Sequence, residues 1–152
     1  MNNLPEKKTK VISERELTER LEAWFAAGCG EFPLRVTGHS MTPFVAPERD
    51  TAFLYPVSGK IKKGDVILFE SESGRLLLHR VIKAGENIVT AGDAYADADR
   101  GGVKKIYAVC RKIKRKNKIH KENGLFWFFF SKIWTRLVPA RGVILRLWAG
   151  LS

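Results

Sequence analysis

Asp65-Val66-Ile67-Leu68-Phe69-Glu70 and Leu76-Leu77-Leu78-His79-Arg80-Val81-Ile82-Lys83 are short apolar runs separated by turn residues, a pattern that reads as β-strands. The pattern continues outward in both directions, through residues 32–37, 51–57, 87–90 and 105–113. Together the runs predict a mainly β domain, a small coiled antiparallel β-barrel. Residues 13–27 read differently, because Leu17, Leu21, Trp24 and Phe25 recur at helical spacing among Glu and Arg residues. An amphipathic N-terminal helix is expected there, stopped near Gly28-Cys29-Gly30. With 152 residues and 45% hydrophobic content, the chain has room for one compact domain with appendages. The expected division is 1–30 for the N-terminal helix, 31–116 for the β domain and 117–152 for a basic, aromatic, helical C-terminal tail.

Gly38-His39-Ser40-Met41-Thr42-Pro43 carries the chemistry that the strands position. Ser40 stands between a glycine two residues before and a proline three after, which places it in a tight turn at a strand end with its side chain free to face a substrate. A serine hydroxyl is a poor nucleophile near neutral pH. It needs a base to take its proton, and usually a third group to orient that base. His79 on a strand and the aspartates between Gly92 and Gly101 supply both kinds of group. Lys83 is an alternative base, but on a strand it would lie roughly 13 Å from His79, so the two cannot serve one serine. His39, adjacent to Ser40, is expected to point away, and His120 belongs to the basic tail.

The segments G-x-S-M-x-P, then H-R-V, then G-D followed by D-R-G, resemble the type I signal peptidase superfamily of serine proteases over about residues 35–109. The likeness is greatest to the branch, typical of archaeal and endoplasmic-reticulum enzymes, that uses histidine where common bacterial signal peptidases use lysine. G-x-S-M is also shared with self-cleaving repressors, and the resemblance implies the barrel of that type. It further implies Ser40 as nucleophile, His79 as general base and Asp99, directly before Arg100-Gly101, as the aspartate that completes the site. Asp93, in Gly92-Asp93, is implied to organise the loop, and Asp97 is the alternative partner of the imidazole. Lys63-Gly64-Asp65-Val66 corresponds to a family segment that begins a barrel strand. Many signal peptidases carry a serine two residues before the nucleophile where this chain has Gly38, so oxyanion stabilisation would rest on backbone N–H groups, chiefly that of Ser40. A preference for small residues beside the scissile bond is implied by the resemblance alone. The opening Met1-Asn2-Asn3-Leu4-Pro5-Glu6-Lys7-Lys8 has no signal-like apolar core, which sets ordinary secretory cleavage in question.

Charge is distributed unevenly. The net charge is +11, and residues 104–152 hold 13 Lys and Arg against Glu122 alone, leaving 14 basic and 15 acidic residues before them. Arg111 to Lys118 reads as a polybasic patch able to attract anionic lipid, nucleic acid or an acidic partner. The segment from Leu125 to Trp148 is rich in aromatic and aliphatic residues, but charges every four or five positions and Pro139 interrupt it too often for a membrane span. Cationic Trp-rich segments suit the membrane interface, so residues 111–148 are expected to contact an anionic membrane peripherally, with docking on the domain or a partner as the alternative. Nucleic acid is disfavoured, because the aromatics form a block rather than interleaving with the basic residues. Cys29 and Cys110 are too few for a zinc motif or a disulfide framework and read as two free thiols. No metal or cofactor is implied.

The functional expectation is a serine endopeptidase of signal-peptidase-like type that cleaves a leader or signal-like peptide held extended beside the barrel, cytoplasmic or peripherally membrane-associated. The alternative is a catalytically inactive barrel of the same type that binds peptides or scaffolds an assembly at a membrane surface.

Overall fold

The computed structural model describes residues 12–151, so the opening segment and its missing apolar core lie outside the described residues. The chain folds as α1 (Glu14–Ala26), β1 (Phe32–Leu34), β2 (Asp50–Tyr55), β3 (Val66–Ser71), β4 (Leu76–Lys83), β5 (Val89–Ala91), β6 (Val103–Arg115), β7 (Lys118–Lys121), α2 (Leu125–Phe128) and α3 (Arg141–Ala149). A π-helical stretch, Phe129–Trp134, and a short 3-10 turn, Val138–Ala140, join α2 to α3. No helix among the described residues is long and apolar enough to cross a membrane.

Helix α1 begins where Ser13 caps it, its Oγ accepting from the Glu16 N–H at 3.1 Å, with Glu14 and Glu16 in the first turn where the helix dipole favours negative charge. Leu21 is its buried contact with the domain.

The strands form one antiparallel sheet in the order β1-β2-β6-β3-β4-β5, with β7 also paired to β6. The fold is therefore mainly β, but the sheet is not closed into a barrel. β1 and β5, each three residues long, end the path and do not pair with each other. The long β6 takes the centre by pairing with β2 and β7 along its C-terminal half and with β3 along its N-terminal half.

Period-2 alternation places Val66 and Leu68 of β3 in one apolar cluster with Met41, Phe44 and Ala108, and Ile67 and Phe69 in a second with Val81 and Val109. The C-terminal segment does not hang free of this core: Trp127, Phe130 and Trp134 are buried in the first cluster. Phe44 is the hub, with ring centroids 5.0 Å from Trp127 and 5.1 Å from Phe130. Gly64, at φ +99°, lets the β3 entry pass under this segment; a Cβ there would lie 2.8 Å from the Ser131 carbonyl oxygen.

Candidate functional site

β1 stops at Leu34, and residues 35–38 run on unpaired before Ser40 enters a turn in which the Thr42 N–H bonds the His39 carbonyl at 3.0 Å and the Val45 N–H bonds that of Met41 at 2.9 Å. Met41 and Phe44, both buried, anchor this turn in the core. The Ser40 carbonyl accepts from the Ala94 N–H at 2.9 Å, which ties the turn to the 92–99 loop. That approach requires Gly92, where a Cβ would stand 2.6 Å from the Ser40 carbonyl oxygen. The Ser40 and Met41 N–H groups donate to no backbone carbonyl of a described residue. At Gly38 a Cβ would meet nothing within 4 Å, so packing does not demand glycine there.

β4 presents His79 and Arg80 on opposite faces of the sheet, as strand alternation dictates. His79 is buried between the edges of Phe69 and Tyr95, and its Nδ1 lies 2.7 Å from Asp99 Oδ2. An ionised carboxylate only accepts, so Nδ1 donates to Asp99 and Nε2 is the ring nitrogen left over. Nε2 is buried and has no hydrogen-bond partner among the described residues. A buried polar atom without a partner costs roughly 1–3 kcal/mol, a cost that is explained where the atom is held for chemistry.

The Thr90 hydroxyl donates to the same Asp99 Oδ2 at 2.6 Å, and the Asp99 N–H bonds the Thr90 carbonyl at 2.8 Å. Burial on its own raises the Asp99 carboxyl, but the bonds from His79 and Thr90 and the nearby charges of His79 and Arg75 outweigh it and hold the group below the ordinary carboxylate range. A carboxyl depressed on folding contributes stability that is fully present above its unfolded value, about 3.9, and is lost as pH falls through the folded value. The difference in urea midpoint between the parent and Asp99→Asn is therefore expected to be largest near neutral pH and to close as pH falls below about 4. A difference that stays constant down to strongly acid pH would contradict the depressed carboxyl.

Asp97 is exposed and Asp93 is fully buried elsewhere, so of the three loop aspartates only Asp99 meets the imidazole. Asp93 takes a fork from Arg80, whose Nε and Nη2 lie 2.9 and 2.6 Å from its two oxygens, while Arg80 Nη1 donates to the Gly64 carbonyl at 2.9 Å. Arg141 reaches the same carboxylate at 3.7 Å and donates to the carbonyls of Gly92 and Trp134, and Trp134 Nε1 donates to the Asp93 carbonyl at 3.1 Å. The C-terminal segment thus clamps the loop that carries Asp99. Thr90, Arg80, Trp134 and Arg141 were not expected from the sequence as site residues. Of these, Arg80 carried a signal, since a charge inside an apolar strand requires a partner.

Ser40, His79 and Asp99 line one cleft of about 570 Å³, together with Leu34, Val36, Met41, Leu76 and Leu78. Leu17 and Glu14 of α1 border it, and the Glu14 carboxylate accepts from the Leu76 N–H at 3.2 Å. β5 pairs with β4 only from Arg80 onward, so the outer edge of β4 from Leu76 to His79 has no strand neighbour among the described residues. His39 also lines the cleft but is exposed, Lys83 sits exposed at the far end of β4, and His120 stacks on Phe126 with centroids 4.3 Å apart.

Cys29 and Cys110 are free thiols, and burial pushes the Cys110 thiol up to about 12, which removes it as a nucleophile. Among the described residues no group of three or more His, Cys, Asp and Glu side chains could hold a metal ion. No family model, no curated protein and no solved structure matches the chain.

Proposed function

We propose that the protein is a serine endopeptidase of signal-peptidase-like type, its open sheet being a variant of the coiled barrel of that superfamily, and that it cleaves a peptide laid extended in the cleft. The observation that carries this reading is the buried His79–Asp99 pair, which leaves Nε2 unpartnered, with His79 and Ser40 lining the same cleft. The unpaired β4 edge and the apolar walls suit an extended chain of small or apolar residues, which would gain main-chain bonds from the strand.

In the cycle, His79 Nε2 takes the Ser40 hydroxyl proton as Oγ bonds the peptide carbonyl carbon, and the imidazolium is stabilised by Asp99. The oxyanion is met by the backbone N–H groups of the 40–41 turn. Collapse breaks the C–N bond while His79 returns the proton to the departing amine. Water, activated by the same nitrogen, then releases the acid and restores Ser40.

A fluorophosphonate probe tests the nucleophile directly. The parent is expected to gain the mass of one adduct, mapped to Ser40, while Ser40→Ala gains none and His79→Ala reacts at least a hundredfold more slowly. A parent left unlabelled at Ser40 would overturn the peptidase and favour the alternative, a barrel that binds peptide without cutting it.

A further inference from the structure

The C-terminal segment divides its apolar residues between two surroundings. Trp127, Phe130 and Trp134 enter the core, whereas Leu125, Phe128, Ile133, Val143, Leu147 and Leu151 stay exposed, Leu125 at 89% and Leu151 at 87%. In α3, Val143 and Leu147 are spaced i, i+4 on the helix side opposite the buried Arg141, so their exposure is the orientation of the helix and not the fraying of a terminus. Monomeric soluble domains seldom leave so much apolar side chain in water without a use for it. Interleaved with these residues are the exposed cations Lys132, Arg136 and Arg146, none of which pairs with a carboxylate among the described residues. No acidic residue follows Glu122 in the chain.

Apolar and aromatic side chains mixed with unpaired cations, with no anion among them, match one surface above others: the headgroup boundary of an anionic bilayer. There the rings and aliphatic chains enter the acyl boundary and each Lys or Arg meets phosphate. We propose that the exposed side of the 125–151 segment docks on an anionic lipid bilayer, lying on it without crossing it. The polybasic hairpin of β6 and β7 is secondary to this surface, because Arg111, Lys112 and Arg115 are already engaged by Glu122, Glu31 and Asp50. Docking is independent of whether Ser40 cleaves a peptide, since no cleft residue takes part.

The test is sedimentation of the full chain with vesicles of phosphatidylcholine alone or with 30 mol% phosphatidylglycerol, a proportion of about one anionic lipid in three that suffices for electrostatic binding. Binding is expected to the mixed vesicles only and to weaken with salt. Reversing Lys132, Arg136 and Arg146 to Glu removes three attractions of about fivefold each and is expected to lower affinity roughly a hundredfold or more. Leu125→Ser with Val143→Ser and Leu147→Ser, none of them core residues, is expected to lower it at least tenfold. Unchanged thermal midpoints show that both variants are folded. Equal binding to the two vesicle types would overturn the anionic partner. No vesicle binding by a parent that sediments as a dimer, with the serine variant monomeric, would assign the surface to a second copy of the chain and overturn the proposal. No binding by a monomeric parent would overturn it as well.

Discussion

Replacing Ser40 by alanine is expected to lower kcat on a cleavable peptide by about four orders of magnitude, equivalent to ~5.5 kcal/mol of transition-state stabilisation. His79→Ala should cost a similar factor, because without the imidazole the Ser40 proton has no acceptor: Asp99 reaches the site only through His79 Nδ1, and Asp93 is taken up by Arg80. The two losses should not add. Nucleophile and base act in one proton transfer, so the double variant is expected to be about as slow as either single one. KM should stay within about threefold of the parent, since Leu34, Val36, Leu76 and Leu78, which wall the cleft, are untouched. A peptide selected by incubating the parent with a mixed library supplies the substrate, and single-turnover kinetics supply the numbers. A Ser40→Ala protein that cuts at the parent rate removes the proposed nucleophile.

The strands were legible because their apolar runs answer to a local rule, while their ends depended on partners no local rule contains. The run at 32–37 pairs only as far as Leu34, since residues 35–38 leave the sheet to wall the cleft. β7 went unread because Lys118-Ile119-His120-Lys121 has a single apolar residue, Ile119, and so no apolar run. It is a strand through its pairing with β6 across a turn in which Lys116 takes φ 53°. The aromatic block from Leu125 onward announced a helix with something to bury, but composition cannot say which rings turn inward. That is decided by Phe44, far earlier in the chain, on which Phe126, Trp127 and Phe130 all pack. The same holds at the site. Ser40, His79 and Asp99 could be proposed from their motifs, whereas Trp134 and Arg141 support the loop through the backbone carbonyls of Gly92 and Asp93, contacts that leave no mark on residue type.

Asp93→Ala is expected to destabilise the fold by about 3–5 kcal/mol, the usual cost of leaving a buried charge without its partner. Few domains of this size can lose that much without consequence, total stabilities being about 5–15 kcal/mol. The Arg80 guanidinium has no access to water and stacks 4.4 Å over the Phe44 ring, so the hydrogen bonds it would lose to Asp93 cannot be replaced by solvent. Arg141, equally buried, is left worse placed still: burial already pulls its guanidinium below the ordinary value, and the Asp93 charge is what opposes that. Asp93→Asn keeps an acceptor for Arg80 but not the charge, and should fall between parent and Asp93→Ala. Replacing Arg80 and Asp93 together by Met and Leu removes one of the two guanidiniums that Asp93→Ala orphans and should recover part of the loss, Arg141 still lacking its carboxylate. Urea unfolding at pH 7 measures all four proteins, and an Asp93→Ala unfolding free energy within about 1 kcal/mol of the parent's would show that the Arg80 charge is met elsewhere. Activity should fall beyond what stability explains. The Asp93 loop also delivers the Ala94 N–H to Ser40 and Asp99 to His79, so in the fraction that stays folded kcat should drop while KM holds, the signature of a base and nucleophile that no longer meet.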